Sequence, residues 1–138
     1  MGLCEKSVQK YGDVLYVLFR VLVGLGFMLH GGQKLFGWFG GVNGGGAVAL
    51  VSLFGLAGVI EFFGGLAVLL GFFTRLGAGI AALEMLVAYM YMHRPQGWIP
   101  LLNGGEAAWL YFAAFLVLLV YGSGKWSLEK KLLKKEVF

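Results

Sequence analysis

The sequence predicts an all-α integral membrane protein, a four-helix bundle with both termini in the cytoplasm. Of its 138 residues, 59% are hydrophobic and only 13% are charged, and the mean hydropathy is +0.82. A soluble domain has about 25% charged residues, so this chain is too apolar for that class. In addition, four continuous apolar stretches approach the roughly 20 residues that a helix needs to cross a bilayer.

The four predicted spans cover residues 14–35, 47–73, 76–92 and 106–121. Each is a continuous apolar run without the alternation of a barrel strand, which argues against a β-barrel. The 24 glycines and the 16% aromatic content suit a helical bundle, because small residues let helices approach and rings collect at the membrane interfaces. Residues 1–138 are therefore expected to form one transmembrane domain, with 124–138 as a basic cytoplasmic tail.

The distribution of basic residues predicts the orientation. Four spans place the termini and the turn after the second span on one side. That side carries Lys6, Lys10, Arg75, Lys125, Lys130, Lys131, Lys134 and Lys135. The opposite side has only Lys34 and Arg94, so the positive-inside rule predicts a multi-pass protein of the plasma (inner) membrane with cytoplasmic termini.

The basic tail, "KWSLEKKLLKKEVF", is expected to contact anionic headgroups and not nucleic acid. Two structures remain open for it. Its leucines among lysines suit a short amphipathic helix on the inner surface, and a solvated basic end is the alternative.

The scarcity of cysteine and histidine limits the chemistry. Cys4 is the single cysteine and there are two histidines, with no CxxC or HExxH motif. We expect no bound metal and no covalently attached cofactor, although a metal site from His30, His93 and Glu106 is conceivable. Redox chemistry would then require a cofactor that is not covalently attached to the chain.

Three spans carry an ionisable residue at depth, which in membranes usually marks a functional site. Arg20, Glu61 and Glu84 are expected about 10, 15 and 13 Å from the inner side, in one layer. Glycines at helical spacing share their faces, so these side chains should point inward.

Within this layer Arg20 is the expected counterion of Glu61, with Glu84 as its competitor, so one glutamate should hold a proton near neutral pH. These three residues are the candidates for a catalytic or proton-relaying role. The alternative is a buried ion pair that fixes helix register.

A second polar cluster is expected at the outer end of the bundle. It consists of His30, Gln33, Lys34, His93, Arg94 and Glu106. Quinone oxygens need such hydrogen-bonding groups beside apolar walls, so these residues are candidate contacts for a substrate or a quinone. The alternatives are polar residues that simply meet interfacial water and, for Glu106, stabilisation of a helix N-terminus.

Four segments together resemble the DoxX family of small four-helix membrane proteins. They are "RVLVGLGFMLHGGQKLFGWFGG", "GVIEFFGGLAVLLGFFTRLGA", "HRPQGW" and "GGEAAWLYFAAFLVLLVYGSGKWSLE", in this order over about residues 14–129. The family's recurrent positions fall on Arg20, His30, Lys34, Glu61, Gly64, Gly65, Arg75, His93, Pro95 and Glu106. Glu84 departs from the pattern, since an apolar residue is expected there.

The resemblance implies a redox-linked membrane component, because the family is named with a subunit of a thiosulfate:quinone oxidoreductase. The expected function is therefore a quinone-linked oxidoreductase subunit or accessory, with quinone as the candidate cofactor. A partner redox subunit and a homo-oligomer are the candidate protein partners. The alternatives are a noncatalytic membrane scaffold or assembly partner, and a small ion or proton transporter using the Arg/Glu layer.

Overall fold

The computed structural model describes residues 3–137, apart from the side chains at positions 3–5, 7 and 9. The expectation for Cys4 and the extreme ends of the predicted domain lie outside the described residues. The helices are α1 Leu3–Phe36, α2 Leu53–Leu70, α3 Thr74–Ala88, α4 Pro100–Asn103, α5 Glu106–Tyr121 and α6 Leu128–Leu133. Over residues 3–137 there is no β-strand, so the predicted all-α class is confirmed.

Three helical stretches are long and apolar enough to cross a membrane: Lys10–Phe36, Leu53–Leu70 and Thr74–Gln96. The predicted second span, 47–73, is too long at its start because Ser52 caps α2, accepting the N–H of Gly55 at 3.0 Å. The predicted third span, 76–92, is too short because the chain continues from α3 through a π-helical turn and a 3₁₀ turn to Gln96. α5 is apolar but has only 16 residues.

Helices α1 and α2 form an antiparallel hairpin that is packed through glycines. A Cβ on Gly24 would overlap the backbone of Gly65, and a Cβ on Gly31 would overlap the backbone of Phe62. The prediction that the glycine-bearing faces are packing faces is therefore confirmed. This close contact sets the register of the two helices.

Helices α3 and α5 form a second antiparallel pair, placed beside the first by the tight α2–α3 turn. Gly71 ends α2 in the left-handed conformation, with a φ of 67°. Arg75 of α3 donates to the carbonyl of Leu119 at 2.9 Å. At the opposite end of the pair, Gly105 lies against Tyr89.

The core lies where the two helix pairs meet. Phe27 and Phe115 are almost fully buried with their ring centroids 4.6 Å apart, and Val68 and Leu118 are 0% exposed. We call these four residues the floor. They separate the loop end of the bundle, formed by residues 37–52 and 89–105, from the terminal end, formed by the α2–α3 turn and residues 122–137.

The C-terminal segment, residues 122–137, folds back across the terminal end. Glu129 is 0% exposed and accepts the N–H groups of Phe73, at 3.2 Å, and Val137, at 2.8 Å. Ser127 caps α6 by accepting the N–H of Lys130 at 3.1 Å. Of the two structures left open for this tail, the short helix is the one observed, and it is packed against the bundle through a buried carboxylate. The lysines of the segment are exposed.

Candidate functional site

A cavity of about 470 Å³ occupies the loop-end half of the bundle. The lining comes from α1, α2, α5 and α3 with the π-helical turn that follows it. Its polar members are His30, Lys34, Glu61, Glu84, Tyr91, His93 and Tyr111. The remaining lining is apolar, so a small set of polar groups lies within a hydrophobic chamber.

The cavity exists because α2 and α3 touch near their connecting turn and separate toward the loop end. A Cβ on Gly77 would lie 3.6 Å from the carbonyl oxygen of Gly64, in ordinary contact. Closer to the loop end the cavity lies between the helices, and its lining includes Leu56 and Leu83, which are 56% and 63% exposed. In a bilayer these exposed leucines would meet acyl chains, so this gap is a lateral opening.

An ion pair between Lys34 and Glu61 lines one wall. The ammonium of Lys34 donates to Glu61 Oε1, and the two side chains are 16% and 3% exposed. Lys34 lies in the last turn of α1, where the helix dipole favours a cation. Glu61 Oε2 is buried without a hydrogen-bond partner within the described part of the chain.

Glu84 reaches the same cavity from α3. Its Oε2 is also buried and has no hydrogen-bond partner among residues 3–137. Buried carboxylate oxygens without partners are costly, and in native sites they commonly indicate a ligand, a water molecule or a proton that completes them. The cavity therefore offers two unused acceptor atoms beside one ammonium group.

The two histidines also line the cavity. The His30 ring meets the Tyr111 ring edge to face, with centroids 5.8 Å apart. His93 Nδ1 lies 3.2 Å from the carbonyl oxygen of Asn103, and Asn103 itself is buried and donates to the carbonyl of Gly97 at 2.7 Å. The first contact joins α1 to α5, and the second holds His93, a lining residue, against the loop that precedes α5.

Three predicted members of the outer cluster do not line the cavity. Gln33 donates to the carbonyl of Gly41 at 3.1 Å, and Arg94 stacks 4.2 Å from the ring centroid of Trp98. Glu106 is exposed at the start of α5. Within residues 3–137 no three His, Cys, Asp or Glu side chains form a group that could hold a metal ion.

The predicted pairing of Arg20 with Glu61 is wrong. Arg20 donates to backbone carbonyls at the terminal end, those of Ser123 and of Trp126 at 3.2 Å. The register of the α1–α2 hairpin places Arg20 near the end of α2, whereas Glu61 lies in the loop-end half. The three ionisable residues therefore do not form one layer, and only Glu61 and Glu84 share the cavity.

The partnership of Lys34 with Glu61 was not predicted, although the sequence contains a signal for it. Glycines recur seven residues apart on both helices, at positions 24 and 31 and at positions 58 and 65. Pairing them in antiparallel order would have brought Glu61 close to the end of α1. Tyr111 carries no comparable signal, because its position depends on how α5 packs.

The all-helical fold, the membrane-length helices and the polar cavity among them define a small helical membrane protein. The model of the family described as DoxX matches residues 15–94, more than half of the chain, and this chain belongs to the DoxX family. The match includes Lys34, Glu61 and Glu84 but ends before Glu106.

A relative in Haemophilus influenzae (strain ATCC 51907 / DSM 11121 / KW20 / Rd), described as an uncharacterized protein, is 34% identical over 132 residues. That likeness covers 94% of this chain and 98% of the relative. No solved structure matches the chain.

Proposed function

We propose that the protein is a quinone-binding membrane component of a redox system, either an oxidoreductase subunit or its accessory. The observation that carries the proposal is the laterally open apolar cavity with the Lys34–Glu61 pair and Glu84 in its wall. Its volume of about 470 Å³ lies within the roughly 300–1,000 Å³ of small-molecule sites. Membership of the DoxX family supports a redox link.

The chemistry of the cavity suits an amphipathic ring carrying two oxygens. An isoprenoid tail would pass the opening beside Leu56 and Leu83 and remain in the bilayer. Lys34 can donate to a ring oxygen, and the unused oxygens of Glu61 and Glu84 can accept from a quinol hydroxyl. In this proposal the electrons of a bound quinol pass to a partner redox subunit.

We further propose that α5 is the fourth span. It runs along the whole of α3, from Gly105 beside Tyr89 to Leu119 beside Arg75, so both helices reach the same two ends. The basic residues of the terminal end favour cytoplasmic termini in the plasma (inner) membrane. A reporter that is active only in the cytoplasm should therefore be active when it is fused to either terminus.

Quinone binding to the purified protein in nanodiscs tests the proposal. We expect saturable binding of a short-chain quinone, and Glu84→Gln should weaken binding of the quinol form about tenfold, because an amide cannot take up the proton of a quinol hydroxyl as a carboxyl group can. Glu106→Gln is the matched control, since it removes a carboxylate at the same end but outside the cavity. Absence of saturable binding in either redox form would refute the proposal and favour a noncatalytic scaffold.

The unpartnered carboxylate oxygens also favour a second candidate, a small proton or ion transporter. A transporter needs a path through the floor, so it predicts proton flux into protein-containing liposomes under a membrane potential. Flux that Glu61→Gln abolishes without unfolding the protein would select this candidate over the quinone site.

A further inference from the structure

The cavity is closed toward the terminal end by the floor. Phe27 and Phe115 pack edge to face at its centre, and Val68 and Leu118 complete it, with exposures of 0–1%. These side chains offer no hydrogen-bonding group that could pass a proton. The floor therefore separates the cavity from the water at the terminal end.

The polar groups on the far side of the floor belong to another network. Arg20 is directed at the carbonyls of Ser123 and Trp126, and Glu129 accepts the N–H groups of Phe73 and Val137. These residues do not line the cavity. They bind the C-terminal segment in place across the end of the bundle.

On the near side, the groups facing Glu84 lead toward the loop end. Glu61 and Lys34 lie across the cavity, His30 and Tyr111 lie beside them, and Tyr91 and His93 lie on the turn that follows α3. Of these side chains, Glu61 is 3% exposed, Lys34 in the last turn of α1 is 16% exposed, and Tyr91 on the turn after α3 is 74% exposed. Exposure along these three residues thus increases from the buried carboxylate toward the loop end. His30, one turn farther from the loop end than Lys34, is exposed as well.

We propose that Glu84 is the proton-exchanging group of the cavity and that it exchanges protons with water at the loop end only. Its buried Oε2 has no hydrogen-bond partner in the described part of the chain and is available to a proton or a ligand hydroxyl. Lys34 and Glu61 already satisfy each other through Oε1. Glu61 is therefore held in an ion pair with Lys34, and Glu84 is the carboxylate that we assign to proton exchange.

The part that this exchange plays in quinol chemistry rests on the proposed function. When a bound quinol gives its two electrons to an electron acceptor of a partner redox subunit, its two O–H bonds break. Each proton in turn forms an O–H bond on Glu84 and then leaves to water at the loop end. The ligand leaves as the quinone, and both protons are released on the side opposite the chain termini.

Cysteine labelling in sealed vesicles tests the one-sided access. In a Cys4→Ser background, Glu84→Cys and Ala57→Cys each place a thiol in the cavity, and Ala57→Cys keeps the test valid if Glu84→Cys does not fold. A membrane-impermeant thiol reagent is added to right-side-out or inverted vesicles. Lys131→Cys is the control that labels only from the terminal side, and Val68→Cys in the floor should label from neither side.

The expected result is that both cavity thiols label from the loop side, with labelling lost when the reagent is on the terminal side. Labelling from the terminal side, or none from the loop side, would overturn the inference. This experiment needs no quinone. Quinone binding without loop-side labelling therefore defeats only this inference, whereas loop-side labelling without quinone binding defeats only the proposed function.

Infrared difference spectroscopy tests the assignment to Glu84 itself. A pH change on the loop side should alter a carboxyl C=O band that is absent in Glu84→Gln and retained in Glu106→Gln. A band that responds to the terminal side, or one that Glu84→Gln keeps, would contradict the assignment.

Discussion

At the scale of single residues, the main result is which cation neutralises Glu61. Lys34 is near the end of α1 and reaches the carboxylate, whereas Arg20 is bound by carbonyls at the other end of the bundle. Removing one partner of a buried pair strands the other charge, which costs more than removing both.

A double-mutant cycle on this pair tests its role. We expect Lys34→Met to lower the free energy of unfolding by roughly 3–5 kcal/mol, because it strands Glu61. Glu61→Gln should cost less, since Lys34 is partly exposed and can turn its ammonium toward the interface. The measurement is denaturant unfolding in mixed micelles. The double variant should recover part of the loss, and strictly additive effects would show that the two residues do not stabilise each other.

At the scale of elements, the α1–α2 hairpin depends on glycines with distinct surroundings. A Cβ on Gly65 would meet the backbone of Met28 and Gly24, which cannot move aside without separating the helices. A Cβ on the adjacent Gly64 would meet no atom within 4 Å. Alanine substitutions at these two neighbours therefore separate the effect of helix packing on stability from the effect of helix propensity.

Gly65→Ala should lower the free energy of unfolding by about 1–3 kcal/mol, because overpacking forces backbone shifts. Gly64→Ala is the matched control on the same helix. It should leave stability unchanged or raise it by about 0.5–1 kcal/mol, because alanine is the better helix former. Unfolding of both variants under one set of conditions gives the comparison, and equal effects would mean that the hairpin is not closely packed at Gly65.

At the scale of the whole molecule, the C-terminal segment joins the helices at the terminal end. Besides the Arg20 contacts, the Tyr16 hydroxyl donates to the carbonyl of Gly122 at 2.7 Å. Glu136 accepts the N–H of Ser123 at 2.8 Å and lies 3.0 Å from the Lys130 ammonium. The last residues therefore contribute to closing the bundle.

The attachment of this segment should depend on pH through Glu136. Burial raises the pKa of Glu136, but the Ser123 N–H and the cations of Lys130 and Arg75 outweigh burial and hold that pKa below its ordinary value. A carboxyl with a lowered pKa in the folded state adds stability at neutral pH, and this contribution is lost as the pH falls through the folded-state pKa.

The thermal midpoint of the wild type should therefore exceed that of Glu136→Gln at neutral pH, and the gap should close in acid. Glu106→Gln, which removes an exposed carboxylate at the other end of the bundle, is measured beside it for comparison. A gap that is constant with pH would contradict the role assigned to Glu136.

Several properties of this protein follow from local sequence alone. The helical class, the membrane-length segments and the inward glycine faces were predicted, because hydropathy and helical spacing depend only on neighbours along the chain. The inward direction of Glu61 and Glu84 was also predicted, since both lie on small-residue faces. Their functional roles remain predictions.

Only the tertiary structure decided which side chains contact each other. It assigned Lys34 to Glu61, turned Arg20 to the C-terminal segment and left Gln33, Arg94 and Glu106 outside the cavity. The physical reason is that relative depth depends on where two helices touch. The glycine contacts of α1 and α2 set that register, and a displacement of a few residues along a helix separates charges that a count from the predicted ends had placed together.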